Sequence, residues 1–152
     1  RDMDVLYSDI GTDPDIRSAS CIYAQVYVYA KGVPWLEDFL DTLRDIMPDI
    51  VIAGETTHEQ IVNGERVIVP VSVSLLVFEH SEVCLYEYDM DEVTEETAAF
   101  ELARYINEKE NVKAVQFFMD AVSISAQDFF DSFDVDDESV QFFGCGSVEF
   151  YL

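Results

Sequence analysis

Basic residues are scarce in this chain: eight lysines and arginines stand against 32 aspartates and glutamates, for a formal charge of −24 over 152 residues. A surface so acidic repels phosphate backbones and anionic headgroups, which excludes nucleic acid and disfavours anionic membranes as partners. Cysteine is equally sparse. Cys21, Cys84 and Cys145 are an odd set without Cys-x-x-Cys spacing, so neither a disulfide framework nor a zinc site is indicated. Cys21 and Cys84 lie in apolar, strand-like runs and read as inert core thiols of a protein in a reducing cytoplasm. No apolar run approaches the roughly 18 residues of a spanning helix, and no signal peptide is visible. A phosphate-binding glycine loop and a Gly-x-Ser-x-Gly elbow are both missing, which removes two common catalytic frameworks. No cofactor and no metal ligand set is indicated. The acidic stretch Asp128, Asp131, Asp134, Asp136, Asp137 and Glu138 lacks the central glycine and closing glutamate of a calcium loop, and reads as a solvated helix end. Low-complexity linkers and internal repeats are also lacking, so residues 1–152 read as one domain.

Apolar material is ample, at 49% hydrophobic and 13% aromatic residues, which is enough for a core and argues against disorder. Met3–Ile10 is ambiguous between an extended segment and a loop, and Gly11–Ser18 reads as a polar turn. Cys21–Ala30 is β-branched and aromatic on both faces, the pattern of an interior strand. Gly32 and Pro34 break that run. Leu36, Phe39, Leu40, Leu43 and Met47 then recur at three- and four-residue steps, predicting a helix over Pro34–Met47 that Pro48 stops. Ile50–Ala53 follows as a short buried strand, so the start of the chain is a parallel strand–helix–strand unit. Asn63-Gly64 is a tight turn signal. Val71–Phe78 and Val83–Tyr88 alternate in character and predict an antiparallel hairpin in the middle of the chain. Thr94 caps a helix over Thr94–Glu110 whose buried stripe is Ala99, Leu102, Ala103 and Ile106. Val112–Phe118 is a further strand, Ser125 caps a short helix, and Val140–Phe143 is a last strand before Gly144–Ser147. Val148–Leu152 is apolar. The fold class is therefore α/β: a mixed β-sheet with packed helices.

The stretch Ile50–Ile61 carries the most information. Four apolar residues run into Gly54 and then a polar cluster of Glu55, Thr56, Thr57, His58, Glu59 and Gln60. In open α/β sheets ligands bind beyond the carboxyl ends of strands, which is where this cluster would sit. Gly54 permits a close backbone approach. Thr56 and Thr57 supply hydroxyls, and His58 can donate to an anion or titrate near neutrality. Glu55 and Glu59 fit an ammonium group. The competing reading is a plain turn in which the threonines satisfy local backbone groups. Gly144 and Cys145 form a second glycine-flanked loop after a strand, with Cys145 the accessible thiol. A Cys145 nucleophile with His58 as base has no third orienting residue, so the chain is read as a binding module with no catalytic residues. Trp35 reads as a packing residue at a helix start and His80 as a turn residue.

The order of these elements resembles the FIST family of sensory domains, specifically its amino-terminal half. Gly54-Glu55-Thr56-Thr57-His58-Glu59-Gln60-Ile61 looks like a version of the family's Gly-Cys-Ser-Thr-x-Gly-Glu-Ile motif, preceded by a helix ending in Met47-Pro48-Asp49. The serine-rich run Val71–Phe78 also occupies a familiar place. Phe142-Phe143-Gly144-Cys145-Gly146-Ser147 is similar to the family's Phe-Gly-Gly-x-Ala segment. The likeness covers roughly residues 18–147. Glu55 departs from the usual small residue or cysteine, Glu59 stands at the second-glycine position, and Gln60 at the acid position. Cys145 and Gly146 depart from the small residues of the later segment. The resemblance implies a sensor of small ligands such as amino acids, with Gly54, Glu55, Thr56, Thr57, His58, Glu59, Gly144 and Cys145 as ligand-binding residues. It also implies an output signalling domain in the same polypeptide, so the chain is expected to be a piece of a longer protein, whose remainder includes the family's carboxyl-terminal half. The alternative is a protein–protein interaction or dimerisation module, with a homodimer as its product and no small ligand.

Overall fold

The computed structural model describes residues 3–29, 33–120 and 122–147. Twelve elements follow in order: α1 (Met3–Thr12), α2 (Pro14–Ser18), β1 (Cys21–Tyr29), α3 (Leu36–Ile46), β2 (Val51–Thr57), β3 (Gln60–Val62), β4 (Glu65–Val67), β5 (Val71–Phe78), α4 (Glu95–Glu108), β6 (Ala114–Asp120), α5 (Ala126–Asp131) and β7 (Gln141–Ser147). They fall into two compact units, residues 1–85 and 86–152.

The first unit is built on a three-stranded mixed sheet ordered β2-β1-β5. β1 runs parallel to β2 and antiparallel to β5, so it is the interior strand that its bulky residues on both faces require. Side chains of in-register partners share a face. On one face lie Ile22, Ala24, Val26 and Val28, with Ile52, Val71, Val73 and Leu75 beside them. Helix α3 covers this face: its Phe39 and Leu43, with the cap residue Met47, are buried against Ile22, and Leu36 and Leu40 pack on Val26 and Val28. The helix begins two residues later than the periodicity predicts, because residues 34 and 35 form a turn with Trp35 as its N-cap. Trp35 sets its ring edge-on to Phe39 at 6.0 Å. The predicted break at Gly32 falls outside the described residues.

Met3–Thr12 is a helix rather than an extended segment, and Pro14–Ser18 is a second short one. The first presents Leu6, Tyr7 and Ile10 to the α3 cluster. The second is capped by the Asp13 carboxylate, which accepts from the Asp15 and Ile16 N–H groups at 2.9 and 3.3 Å. Tertiary packing and one cap outweigh a weak local pattern here. The hairpin in the middle of the chain is β3–β4. Its turn is Asn63-Gly64, with φ of +53° and +81°, the left-handed pair that a two-residue hairpin demands. Val83–Tyr88 is not a strand. Its alternation belongs to the segment where one unit ends and the next begins, and β5 pairs with β1 instead.

In the second unit β6 and β7 pair in parallel. The buried stripe of α4 is Ala98, Ala99, Leu102, Ala103 and Ile106. Phe117 of β6 sits among Phe129, Phe130 and Phe133, with ring centroids 5.4–5.8 Å away in edge-on arrangements. Thr94 and Ser125 cap α4 and α5, accepting from the Thr97 and Asp128 N–H groups, both at 3.3 Å. Residues 148–152, read as apolar, lie outside the described residues.

Candidate functional site

The polar cluster after Gly54 does not form a loop. Strand β2 continues through Gly54, Glu55, Thr56 and Thr57, in register with Val26, Tyr27, Val28 and Tyr29 of β1. Gly54 is therefore a point of contact and not a strand terminator. A Cβ there would lie 1.7 Å from the Val26 carbonyl oxygen, so only glycine fits. Continuing the strand also divides the cluster between two faces. Gly54 and Thr56 belong to the rows of Val26 and Val28, on the face that α3 covers. Glu55 and Thr57 belong to the other face, in the rows of Tyr27 and Tyr29.

That second face carries the polar character of the unit. Gln25, Tyr27, Ser72 and Ser74 lie on it beside Glu55 and Thr57. Tyr23, two residues before Gln25, is buried, at 8% exposure. Burial, with a smaller contribution from Tyr27, pushes its phenol up to about 12.

The remaining residues of the cluster have distinct places. Thr57 Oγ1 donates to the Glu59 carbonyl at 2.7 Å and accepts from the Glu59 N–H at 3.4 Å, so its hydroxyl closes the turn into β3. His58 is exposed on that bend. Glu59 is paired with Arg66 of β4, which ties the turn to the hairpin and raises the Arg66 pKa. Glu59 is thus engaged from within the chain.

Gln60 closes the polar cluster but was not among the residues expected to contact a ligand. It is 6% exposed, and it is the buried polar side chain among the described residues. Its Nε2 donates to the carbonyls of Tyr27 and Val69, both at 3.3 Å, while Oε1 is shut off from solvent and accepts no hydrogen bond from the described residues. Glu55 Oε2 is likewise shut off from solvent. The signal available beforehand was position: a glutamine heading an apolar pair, Ile61-Val62, beside a turn.

In the second unit, Gly144 and Cys145 also lie inside a strand rather than in a loop beyond one. β7 extends to Ser147 and pairs Gly144 with Phe117 and Cys145 with Phe118. A Cβ on Gly144 would lie 2.2 Å from the Phe117 carbonyl oxygen, the counterpart of the Gly54 contact. Cys145 is exposed and forms no disulfide. Cys21 is half-buried and Cys84 exposed; Cys84 is no core thiol, because its apolar run is the connection between units and not a strand. His80 is exposed beside Glu79, 3.9 Å away. The described residues hold no group of three or more histidine, cysteine or acidic side chains placed to share a metal ion. None of their helices is long and apolar enough to cross a membrane.

Comparisons with curated proteins and with solved structures returned no match. The family model of the FIST N domain, in contrast, matches residues 24–149, from within β1 through β7 and including the Gly54 and Gly144 strands, and the chain belongs to that family.

Proposed function

We propose that this chain senses a small ligand on behalf of an output domain in the same polypeptide, in the cytoplasm, and that the ligand is held where β2 passes into β3. FIST domains are generally sensory domains of signalling proteins. The observation that carries the location is the pair of solvent-shielded acceptors, Glu55 Oε2 and Gln60 Oε1, at the carboxyl end of a parallel strand pair. That end of a parallel pair is where α/β sheets take ligands. Amino acids and similar metabolites are the first class to screen.

Ligand binding shifts the population toward whichever arrangement it favours, and it stabilises the folded chain. A thermal-shift screen across a broad metabolite library should yield a saturable hit. Glu55→Gln should weaken that hit, while His58→Ala, on the exposed bend, should leave it within about twofold. A library that produces no hit sinks the sensor reading. The reading is of binding without reaction. Cys145 and Cys84 are both exposed, so alkylation at neutral pH should label Cys145 no faster than Cys84. A Cys145 rate about a hundredfold above that of Cys84 would signal an activated thiolate.

A second reading has its own observation. Ile61 in β3 and Ile68 just after β4 are 79% and 67% exposed, and exposed apolar side chains grouped into a patch mark interaction surfaces. Concentration-dependent self-association in sedimentation velocity, abolished by Ile61→Ser with Ile68→Ser, would favour an interaction or homodimerisation module.

A further inference from the structure

The sensor reading names a place and leaves the chemistry of the ligand open. The Gln60 amide narrows it. Both hydrogens of Nε2 are committed, one to the Tyr27 carbonyl and one to the Val69 carbonyl. These bonds also settle which end of the amide is which, because a reversed amide would set Oε1 against two carbonyl oxygens, acceptor against acceptor. Oε1 therefore has only accepting capacity left, in a place that solvent does not reach. A buried amide oxygen without a donor forgoes its hydration without compensation, and folded proteins rarely leave one.

Glu55 stands at the same residue of β1. Its in-register partner is Tyr27, the residue whose carbonyl Gln60 holds, and its Oε2 is also shielded. Tyr27 shares the Glu55 face, with Tyr23 and Tyr29 along the same strand. Arg66, the cation of the adjoining hairpin, is engaged by Glu59. The corner thus offers acceptors and aromatic rings. A carboxylate or phosphate would add further acceptors to it. A cation that carries N–H groups supplies both what Oε1 requires and what tyrosine faces attract, and a net charge of −24 concentrates cations around the chain.

We propose that the corner formed by Gln60, Glu55 and Tyr27 recognises the N–H-donating end of a small organic amine in its ammonium form. The proposal rests on the sensor reading and specifies what that sensor detects: an ammonium donor, with Gln60 Oε1 and Glu55 as its acceptors.

The test uses the chain with ethylammonium, putrescine, tetramethylammonium and acetate at matched ionic strength. Calorimetry and thermal shift should register saturable binding of the two N–H amines. Tetramethylammonium, equal in sign but without N–H donors, should bind at least about tenfold more weakly, and acetate should not bind. Glu55→Gln and Gln60→Met should each weaken the amine at least about tenfold. Circular dichroism reports whether each variant is folded. If Gln60→Met does not fold, the Glu55→Gln comparison and the tetramethylammonium comparison decide. Equal binding of tetramethylammonium, binding of acetate, or unchanged amine affinity in the folded variants overturns the proposal. A broad metabolite library that yields a non-amine ligand while all amines fail overturns the proposal and leaves the sensor reading standing. Failure of every compound removes both.

Discussion

Gly54 and Gly144 each sit in the second strand of a parallel pair, pressed against a carbonyl oxygen of the first. Adding one methyl group at either place forces two strands apart. Gly54→Ala and Gly144→Ala should each cost about 1–3 kcal/mol in urea unfolding, whereas Gly11→Ala should stabilise by roughly 0.5–1 kcal/mol. Gly11 lies in α1, where the added Cβ meets Ile46 at an ordinary 3.6 Å. The contrast explains a limit of sequence reading. A glycine after an apolar run is compatible with the end of a strand and with a tight contact inside one, and only the neighbouring strand distinguishes them. Residue types drew attention to the segment Gly54–Gln60 but could not divide Glu55 from Thr56 by face. The burial of Gln60 was hidden for a related reason: it depends on Tyr27, which is distant in sequence. Tyr23 makes a separate prediction. Its phenol is raised to about 12, while in the unfolded chain it titrates near the usual value of about 10. Above pH 10 the unfolded state loses this proton first, so unfolding binds fewer protons and stability falls as pH rises. The contribution, about 2–3 kcal/mol, should be intact below pH about 10 and gone above about 12. Comparing the pH dependence of unfolding in the native chain and Tyr23→Phe should isolate it.

At the scale of elements, the helices that declared themselves carried a local apolar stripe, which α4 and α5 combine with a side-chain cap and α3 does not. α4 has Thr94 at its N-terminus and Leu102 and Ile106 on its stripe, and both signals are local. Thr94→Ala and Ser125→Ala should each lower stability by about 1 kcal/mol in denaturant titration, with Thr94→Ser close to neutral. α1 carries neither signal strongly, and its helicity comes from Leu6, Tyr7 and Ile10 meeting the α3 cluster. Such long-range support leaves no trace in a short window. The same holds for Val83–Tyr88, where the Tyr86 ring lies tilted at 54° and 4.4 Å from that of Tyr105 of α4 and Tyr88 packs on the α4 core. Alternation alone does not make a strand when no edge pairs with it. β5 had an edge waiting in β1, and its alternation was realised.

Over the whole molecule, charge is the dominant uniform feature. Self-repulsion among an excess of 24 negative charges opposes the compact state. Raising salt from about 10 mM to about 1 M shortens the Debye length from roughly 30 Å to roughly 3 Å, and the melting temperature should rise across that range. A melting temperature that falls instead would mean that attractive pairs, such as Glu59–Arg66, outweigh the repulsion. The mixed sheet was legible as a class because apolar runs and crossover helices are local patterns; the division into two compact units was not, since no change of composition marks Leu85–Tyr86. One further consequence follows from the way β2 divides its residues. Glu55 and Thr56 are neighbours in the chain, yet one faces the polar sheet surface and the other stands in the Val28 row beneath α3. A strand arranged in this way is a lever as well as a wall. A force applied to its polar side is delivered to the helix-facing side across a single peptide bond, so a ligand held at Glu55, as proposed, would have no distance left to cover before it could move a helix.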